Sequence, residues 1–184
     1  RPDLIMISIS AAGQWGPEHR IATYGNMLTC QAGLDALQGY VGEPPMSPNT
    51  AVPDPINGVV AAFAALGGLW HRRQTGKGGV IDLSQWEAMT SMLGAPILDY
   101  WFNGRVQERM GNRDPQMAPH GVYRCRGEDN WVAISVRTPG EWDGFRRALG
   151  HPAWTGEPRF ETSSGRLEHQ DALDRYVEEW TRGQ

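Results

Sequence analysis

Asp54 stands between two prolines in the stretch Ala51-Val52-Pro53-Asp54-Pro55-Ile56-Asn57-Gly58. Each proline fixes its own φ and removes a backbone N–H, so the carboxylate lies on a stiffened turn. A carboxylate held in this way can do three kinds of work. It can cap a helix, carry a proton, or attack an electrophilic carbonyl as a nucleophile. The run that follows, from Val59 to Leu69, is small and apolar and predicts a buried helix, with Asp54 as its N-cap and Pro55 at its first position. A helix start also favours negative charge nearby. Local sequence leaves the cap and the reactive carboxylate both open.

The second stretch with chemical potential is Ala11-Ala12-Gly13-Gln14-Trp15-Gly16-Pro17, which follows an apolar run. Small residues there let backbone approach a ligand closely, Gly13 above all, or simply make a turn. The stretch is not a Gly-x-Gly-x-x-Gly fingerprint, and Gly76-Lys77 lacks the rest of a phosphate-binding loop. Cys30 and Cys125 match no metal or disulfide spacing and read as small buried hydrophobes in a reducing compartment. No metal site is expected. The 184 residues carry a net charge of −4 and no basic stripe, which argues against nucleic acid as a partner. No apolar run is long enough to span a membrane, and no leader pattern is recognisable. The expected setting is the cytoplasm.

The elements that must position these residues are those of an α/β protein. Leu4–Ser10 reads as a strand of the kind buried in a parallel sheet, and Val80–Ser84 as a second strand. Between them lie a helix from about Thr23 to Gln38 and the long helix after Asp54. A helix capped by Ser84 runs from Gln85 to about Phe102, with Glu87 placed for a capping box. After a polar connection the composition changes. Gly121–Arg126 and Asn130–Val136 alternate as a hairpin around Gly127-Glu128-Asp129, followed by helices over Gly140–Leu149 and Leu167–Trp180 with an irregular link between. Two domains are therefore expected, residues 1–103 with the aspartate and a smaller α+β unit over residues 104–184. The chain opens on Arg1-Pro2-Asp3 directly before its first strand, and reads as an internal piece of a longer protein.

Several segments, in order, resemble the class III CoA-transferases (CaiB/BaiF type). Arg1 to Pro17 is similar to their "NPxLIYxSISGFGxxGP" signature, and Asp54-Pro55-Ile56-Asn57-Gly58 to their "D-x-x-x-G" element. Arg72 to Ser84 is similar to "RxxTGxGQxVDVS", and Gly111-Asn112 and Ala118-Pro119-His120-Gly121-Val122-Tyr123 follow in the family's order. The resemblance covers essentially the whole chain. It implies a partial Rossmann-like domain followed by a smaller domain. Family members are roughly twice as long and form interlocked homodimers.

The resemblance also implies a chemistry. Asp54 would attack an acyl-CoA thioester and pass through a mixed anhydride to an aspartyl-CoA thioester, which an acceptor carboxylate then discharges. Coenzyme A enters as a thioester substrate, with no permanently bound cofactor. Tyr24 lies thirty residues before Asp54, where the racemase branch of the family carries histidine and a transferase carries a CoA-contacting tyrosine. Tyrosine is a poor base at neutral pH, so the transferase reading is favoured over acyl-CoA racemisation or a non-catalytic fragment. Gln85 matches a position lining the CoA or acyl site, and is otherwise a first-turn helix residue. Gly13 belongs to the first signature. His120 could meet an acyl or acceptor group, or be polar surface. Two departures stand out. Gly79 replaces a glutamine, and Met117-Ala118-Pro119 occupies the region of a glycine loop, which argues against formyl-CoA and oxalate as substrates.

Overall fold

Alternation of side chains sets the small sheet of the first part of the chain. β1 (Ile5–Ser10) and β2 (Gly79–Ser84) pair in parallel, Ile5 opposite Gly79 and Ser10 opposite Ser84. Ile5, Ile7, Ile9, Ile81 and Leu83 therefore share one face, and Met6, Ser8, Ser10, Val80, Asp82 and Ser84 the other. Parallel strands need a long crossover. Here it runs through α1 (Gly25–Ala32), α2 (Leu34–Leu37) and α3 (Pro53–Thr75). α3 packs on the isoleucine face, with Gly68 against Ile5 and Ile81. After β2 come α4 (Gln85–Thr90), a 3-10 turn (Ser91–Leu93) and α5 (Gly94–Asn103). The computed structural model describes residues 1–48 and 50–184, and these form two compact units, Arg1–Arg109 and Met110–Gln184.

The second unit is built on an antiparallel hairpin, β3 (His120–Arg124) with β4 (Trp131–Ser135). Four helices follow, α6 (Pro139–Ala148), α7 (Pro158–Glu161), α8 (Ser163–Glu168) and α9 (Gln170–Thr181). Tyr123, Val136, Trp142, Phe160, Leu173 and Val177 make its core. Complete burial of a side chain such as Phe160 or Leu173 contributes about 1.5–3 kcal/mol. Trp154 stacks on Tyr176 at 5.2 Å between ring centres, and both meet Phe160 edge-on. Arg113 joins this core to the segment before the hairpin. It donates to Asp171 at 2.6 Å and to Asp174 at 2.8 Å, and Tyr123 donates its hydroxyl to Asp174 at 2.8 Å. Burial, reinforced by the Asp174 charge, pushes the Tyr123 phenol far above its ordinary range.

Several expected elements differ. The helix expected over residues 23–38 is two, broken at Gly33, whose φ of 88° ends α1. Its start is Tyr24 rather than Thr23, and Tyr24 makes no side-chain cap. The helix expected from Gln85 to Phe102 is likewise interrupted at Ser91–Leu93. Ser84 Oγ does accept from Glu87 N at 3.3 Å, but among the described residues the reciprocal capping box is that of Thr138 and Glu141 at the start of α6. The link between the last two expected helices carries α7, and α8 and α9 divide at His169.

α3 was expected to be buried and is covered on one side only. Pro53, Asn57 and Ala61 are its buried stripe, spaced by four. Val59, Phe63, Leu66 and Trp70 form an opposite stripe, each more than 60% exposed. The sequence is apolar around the helix, and the described residues supply packing for one face. Among them, no helix is long and apolar enough to cross a membrane.

Candidate active site

Three segments converge at the carboxyl end of the β1–β2 pair, where open α/β sheets place their ligands. The loop Ala11–Pro17 leaves β1 there, and α4 begins there directly after β2. The start of α3 arrives from the other direction. Gly68 lies beside Ile5 and Ile81, near the amino ends of the strands. Asp54 is fourteen residues earlier in the same helix, about 21 Å away at 1.5 Å per residue, towards the carboxyl end.

Asp54 is not the N-cap. Val52 holds that position, Pro53 is the first helical residue and Asp54 the second. The fixed φ of Pro53 suits the first turn, so the helix starts one residue ahead of the carboxylate. This changes what the carboxylate can do. Pro53 and Pro55 have no N–H, Asp54 N donates to Ala51 O at 3.1 Å, and Ile56 N donates to Val52 O at 3.4 Å. The first turn has no spare donor, and the exposed side chain of Asp54 makes no cap to its own helix. Asn57, buried one turn on, donates Nδ2 to Pro53 O at 2.9 Å and braces that turn from below.

A second helix start abuts the carboxylate. A Cβ at Gly25, the first residue of α1, would stand 3.1 and 3.2 Å from the two Asp54 oxygens and 3.0 Å from Ala51 Cβ. Only glycine allows that approach without displacing a neighbour. Tyr24 precedes it and is 84% exposed, so the structure brings Tyr24 to within one residue of the Asp54 contact. Gln85, half-buried, is the first residue of α4, which packs on α1 and α3. Trp15, Gly16 and Pro17 face Ser84, Trp86 and Thr90 across a groove of about 360 Å³. Gly13 is buried with a φ of 85°, and a Cβ there would stand 3.5 Å from Asp82 Oδ2 and 3.6 Å from Ser84 Cβ. His120 lies in the other unit. Its Nδ1 is 2.6 Å from Asn112 O, and it lines a separate cavity of about 290 Å³ with Asn112, Arg113 and Ser135. No cluster of three metal-ligating side chains occurs among the described residues.

Sequence reasoning missed the glycine at Asp54, and it misjudged Cys30. That thiol is exposed, and Sγ donates to Asp35 Oδ2 at 2.8 Å. The hydrogen bond to a carboxylate raises the thiol above its usual pKa, so Cys30 is a poor nucleophile at neutral pH. Cys125 is half-buried. Asp35→Asn removes the negative acceptor, and alkylation of Cys30 by iodoacetamide at pH 8 is expected to speed up about three- to tenfold, with its pH midpoint moving down. An unchanged rate by mass spectrometry would show that Asp35 does not hold the thiol.

The model of CoA-transferase family III matches residues 1–184, so the chain belongs to that family. It is 32% identical over 180 residues to the succinyl-CoA–D-citramalate CoA-transferase of Chloroflexus aurantiacus, covering 98% of this chain and 44% of that protein. It is 28% identical to the acetyl-CoA:oxalate CoA-transferase of Acetobacter aceti, covering 96% of this chain and 45% of that one. The crystal structure of a CaiB/BaiF family protein from Brucella suis superposes with a TM-score of 0.90 at 29% identity, over 100% of this chain and 48% of that one. The chain thus spans somewhat under half the length of the relatives it matches.

Proposed function

We propose that the full-length parent of this chain transfers coenzyme A between an acyl-CoA and a carboxylic acid, with Asp54 as the nucleophile. One observation carries the reading. Asp54 presents an exposed carboxylate, unused by its own helix, at the carboxyl end of a parallel strand pair, in a chain of this family. A carboxylate oxygen of Asp54 attacks the thioester carbonyl, the C–S bond breaks, and CoA thiolate leaves a mixed anhydride. The thiolate then attacks the aspartyl carbonyl, releasing the donor as its carboxylate and leaving an aspartyl-CoA thioester. An acceptor carboxylate repeats the two steps in reverse order, and Asp54 is regenerated with no net proton transfer. Dividing the exchange in this way replaces one difficult displacement by several easier ones.

On this reading residues 1–103 are part of a Rossmann-like domain and residues 104–184 a smaller domain. Tyr24, Gln85 and the Gly13 loop contact the thioester. The working form is a homodimer of the longer protein, in the cytoplasm. The relatives' names include succinyl-CoA as donor and D-citramalate, L-malate and oxalate as acceptors. Succinyl-CoA is therefore the first donor to test. The parent protein is incubated with acyl-CoAs, treated with hydroxylamine and digested. A hydroxamate on Asp54 is expected with the true donor. Its absence with an acyl-CoA that demonstrably binds would remove Asp54 as nucleophile. Solvent deuterium entering the α-carbon without an acceptor would indicate racemisation instead.

A further inference from the structure

The loop Ala11–Pro17 is held by a residue that none of the preceding chemistry uses. Gln14 N donates to Asp82 Oδ2 at 2.8 Å, and Gln14 Nε2 donates to Ser8 Oγ at 2.8 Å. Ser8 and Asp82 are register partners on β1 and β2, so both point from the sheet face opposite α3. Gln14 is clipped to that face twice, once through its backbone and once through its side chain. The loop is tied at a third point by Trp86 N, which donates to Ala11 O at 2.9 Å. The conformation this imposes is specific. Gly13 takes a φ of 85°, a conformation that favours glycine. Trp15, Gly16 and Pro17 are thereby carried across to face Trp86 and Thr90, and the groove between them is the result.

Asp82 lies in a strand, where aspartate is depleted. It makes no ion pair among the described residues, and its recorded bond is the one to the loop. A carboxylate accepting from a backbone N–H is stronger than a neutral acceptor. We propose that Asp82 is a positioning residue, one that fixes the Gly13–Pro17 loop over the carboxyl end of β2 and so sets the width of the groove between Trp15 and Trp86 for the thioester substrate. The substrate half of this proposal rests on the CoA-transferase reading. The loop half does not.

The test uses the full-length parent protein and two readouts. In Asp82→Ala, backbone amide exchange in the peptide covering residues 11–18 is expected to quicken at least tenfold, while peptides from α3 are unchanged. KM for the acyl-CoA that labels Asp54 is expected to rise about tenfold or more, with kcat within threefold of wild type. Asp82→Asn keeps an oxygen acceptor and is expected to restore most of both. Gln14→Ala removes the side-chain bond to Ser8 and keeps the backbone N–H, and is expected to quicken loop exchange less than Asp82→Ala does. Unchanged loop exchange in Asp82→Ala would overturn the clamp. Faster exchange with an unchanged KM would overturn its role in the substrate groove. If wild type itself forms no Asp54 adduct, the transferase reading fails, and the exchange experiment still decides the clamp. Should Asp82→Ala not fold, Asp82→Ser, too short to reach Gln14 N, carries the same expectations.

Discussion

Asp54→Asn in the full-length parent protein is expected to lower kcat for CoA transfer by about 10⁴-fold or more, with KM for the acyl-CoA near wild type. That loss corresponds to about 5 kcal/mol of barrier at 1.36 kcal/mol per tenfold. The prediction follows from the site as built. The carboxylate does not cap α3, because Val52 is the cap and the first-turn donors are either absent or spent on Ala51 O and Val52 O. Replacing it by the isosteric amide therefore removes nucleophilicity without removing a structural bond. Thermal stability should change by less than about 1 kcal/mol, the scale of an ordinary surface substitution. Slow reversion of the amide to aspartate, a common source of residual activity, is also blocked. The cyclisation needs the N–H of the next residue, and the next residue is Pro55. Asp54→Glu extends the side chain by one methylene beside Gly25, where a Cβ would already stand 3.1 Å from the carboxylate. It should retain the mechanism and lose about 10²-fold, as a displacement of about 1 Å costs. A kcat above a tenth of wild type in Asp54→Asn would sink the nucleophilic reading.

The candidate site was legible in the sequence to different depths. Asp54 announced itself through its two prolines, because proline acts locally and its consequences can be read without a fold. The same locality misled on the cap. Pro53 fits a helix start as well as Pro55 does, and one residue decides whether the aspartate binds its own helix or faces outward. Nothing local marked Gly25, twenty-nine residues away, as the neighbour of Asp54, since that contact is made only when α1 and α3 start side by side. Asp82 was visible only as a polar residue in a strand. Its role needs the register that sets it beside Ser8, and the loop that folds back over both. Trp15 and Trp86, seventy-one positions apart in the chain, face one groove only once the loop has folded over β2.

The fold shows the same division. Strand and helix types followed from periodicity, while breaks within helices did not. Gly33 lies inside a run whose periodicity continues past it, and isolated glycines are tolerated in helices, so only its φ of 88° marks the break. Thr138-Pro139-Gly140-Glu141 carried the full capping-box pattern, with proline at the first helical position, and marks the start of α6 one residue before the expected one. The apolar wrap of α3 predicted burial that the described residues provide on one face. Amphipathicity reports how many faces a helix covers, and what covers them is a tertiary fact.

Arg166→Ala is expected to destabilise the second unit by about 3–5 kcal/mol, a large share of the about 5–15 kcal/mol that holds an ordinary domain folded. Arg166 is the largest fully buried side chain, at 1% exposure, and no sequence pattern distinguished it from the surface arginines around it. Its guanidinium serves as a donor hub. Nε donates to Ala118 O at 2.8 Å, and Nη1 to Phe160 O at 3.1 Å and Glu161 O at 3.2 Å. The guanidinium also lies 4.6 Å from the centre of the Trp142 ring. One residue thus satisfies carbonyls from α7 and from the segment entering β3, and closes them over the aromatic core. No carboxylate pairs with it among the described residues, so three carbonyl dipoles and a ring face stabilise the charge instead. Burial accordingly draws its pKa below the usual arginine value, without discharging it at neutral pH. Truncation to alanine opens a cavity and orphans three carbonyls, and both effects are unfavourable. Arg166→Met separates them. It refills most of the volume and leaves the carbonyls unpaired, so a cost of about 2–3 kcal/mol is expected. Arg166→Lys keeps a charge that cannot reach three acceptors in the plane of a fork, and should fall between wild type and methionine or close to methionine. Urea unfolding followed by near-ultraviolet circular dichroism, which reports the packed tryptophans Trp142 and Trp154, measures all three. Alanine and methionine variants of equal stability would mean that filled volume contributes nothing and the carbonyl bonds everything. A methionine variant as stable as wild type would mean the reverse, and the buried arginine would be a packing residue whose charge the core merely tolerates.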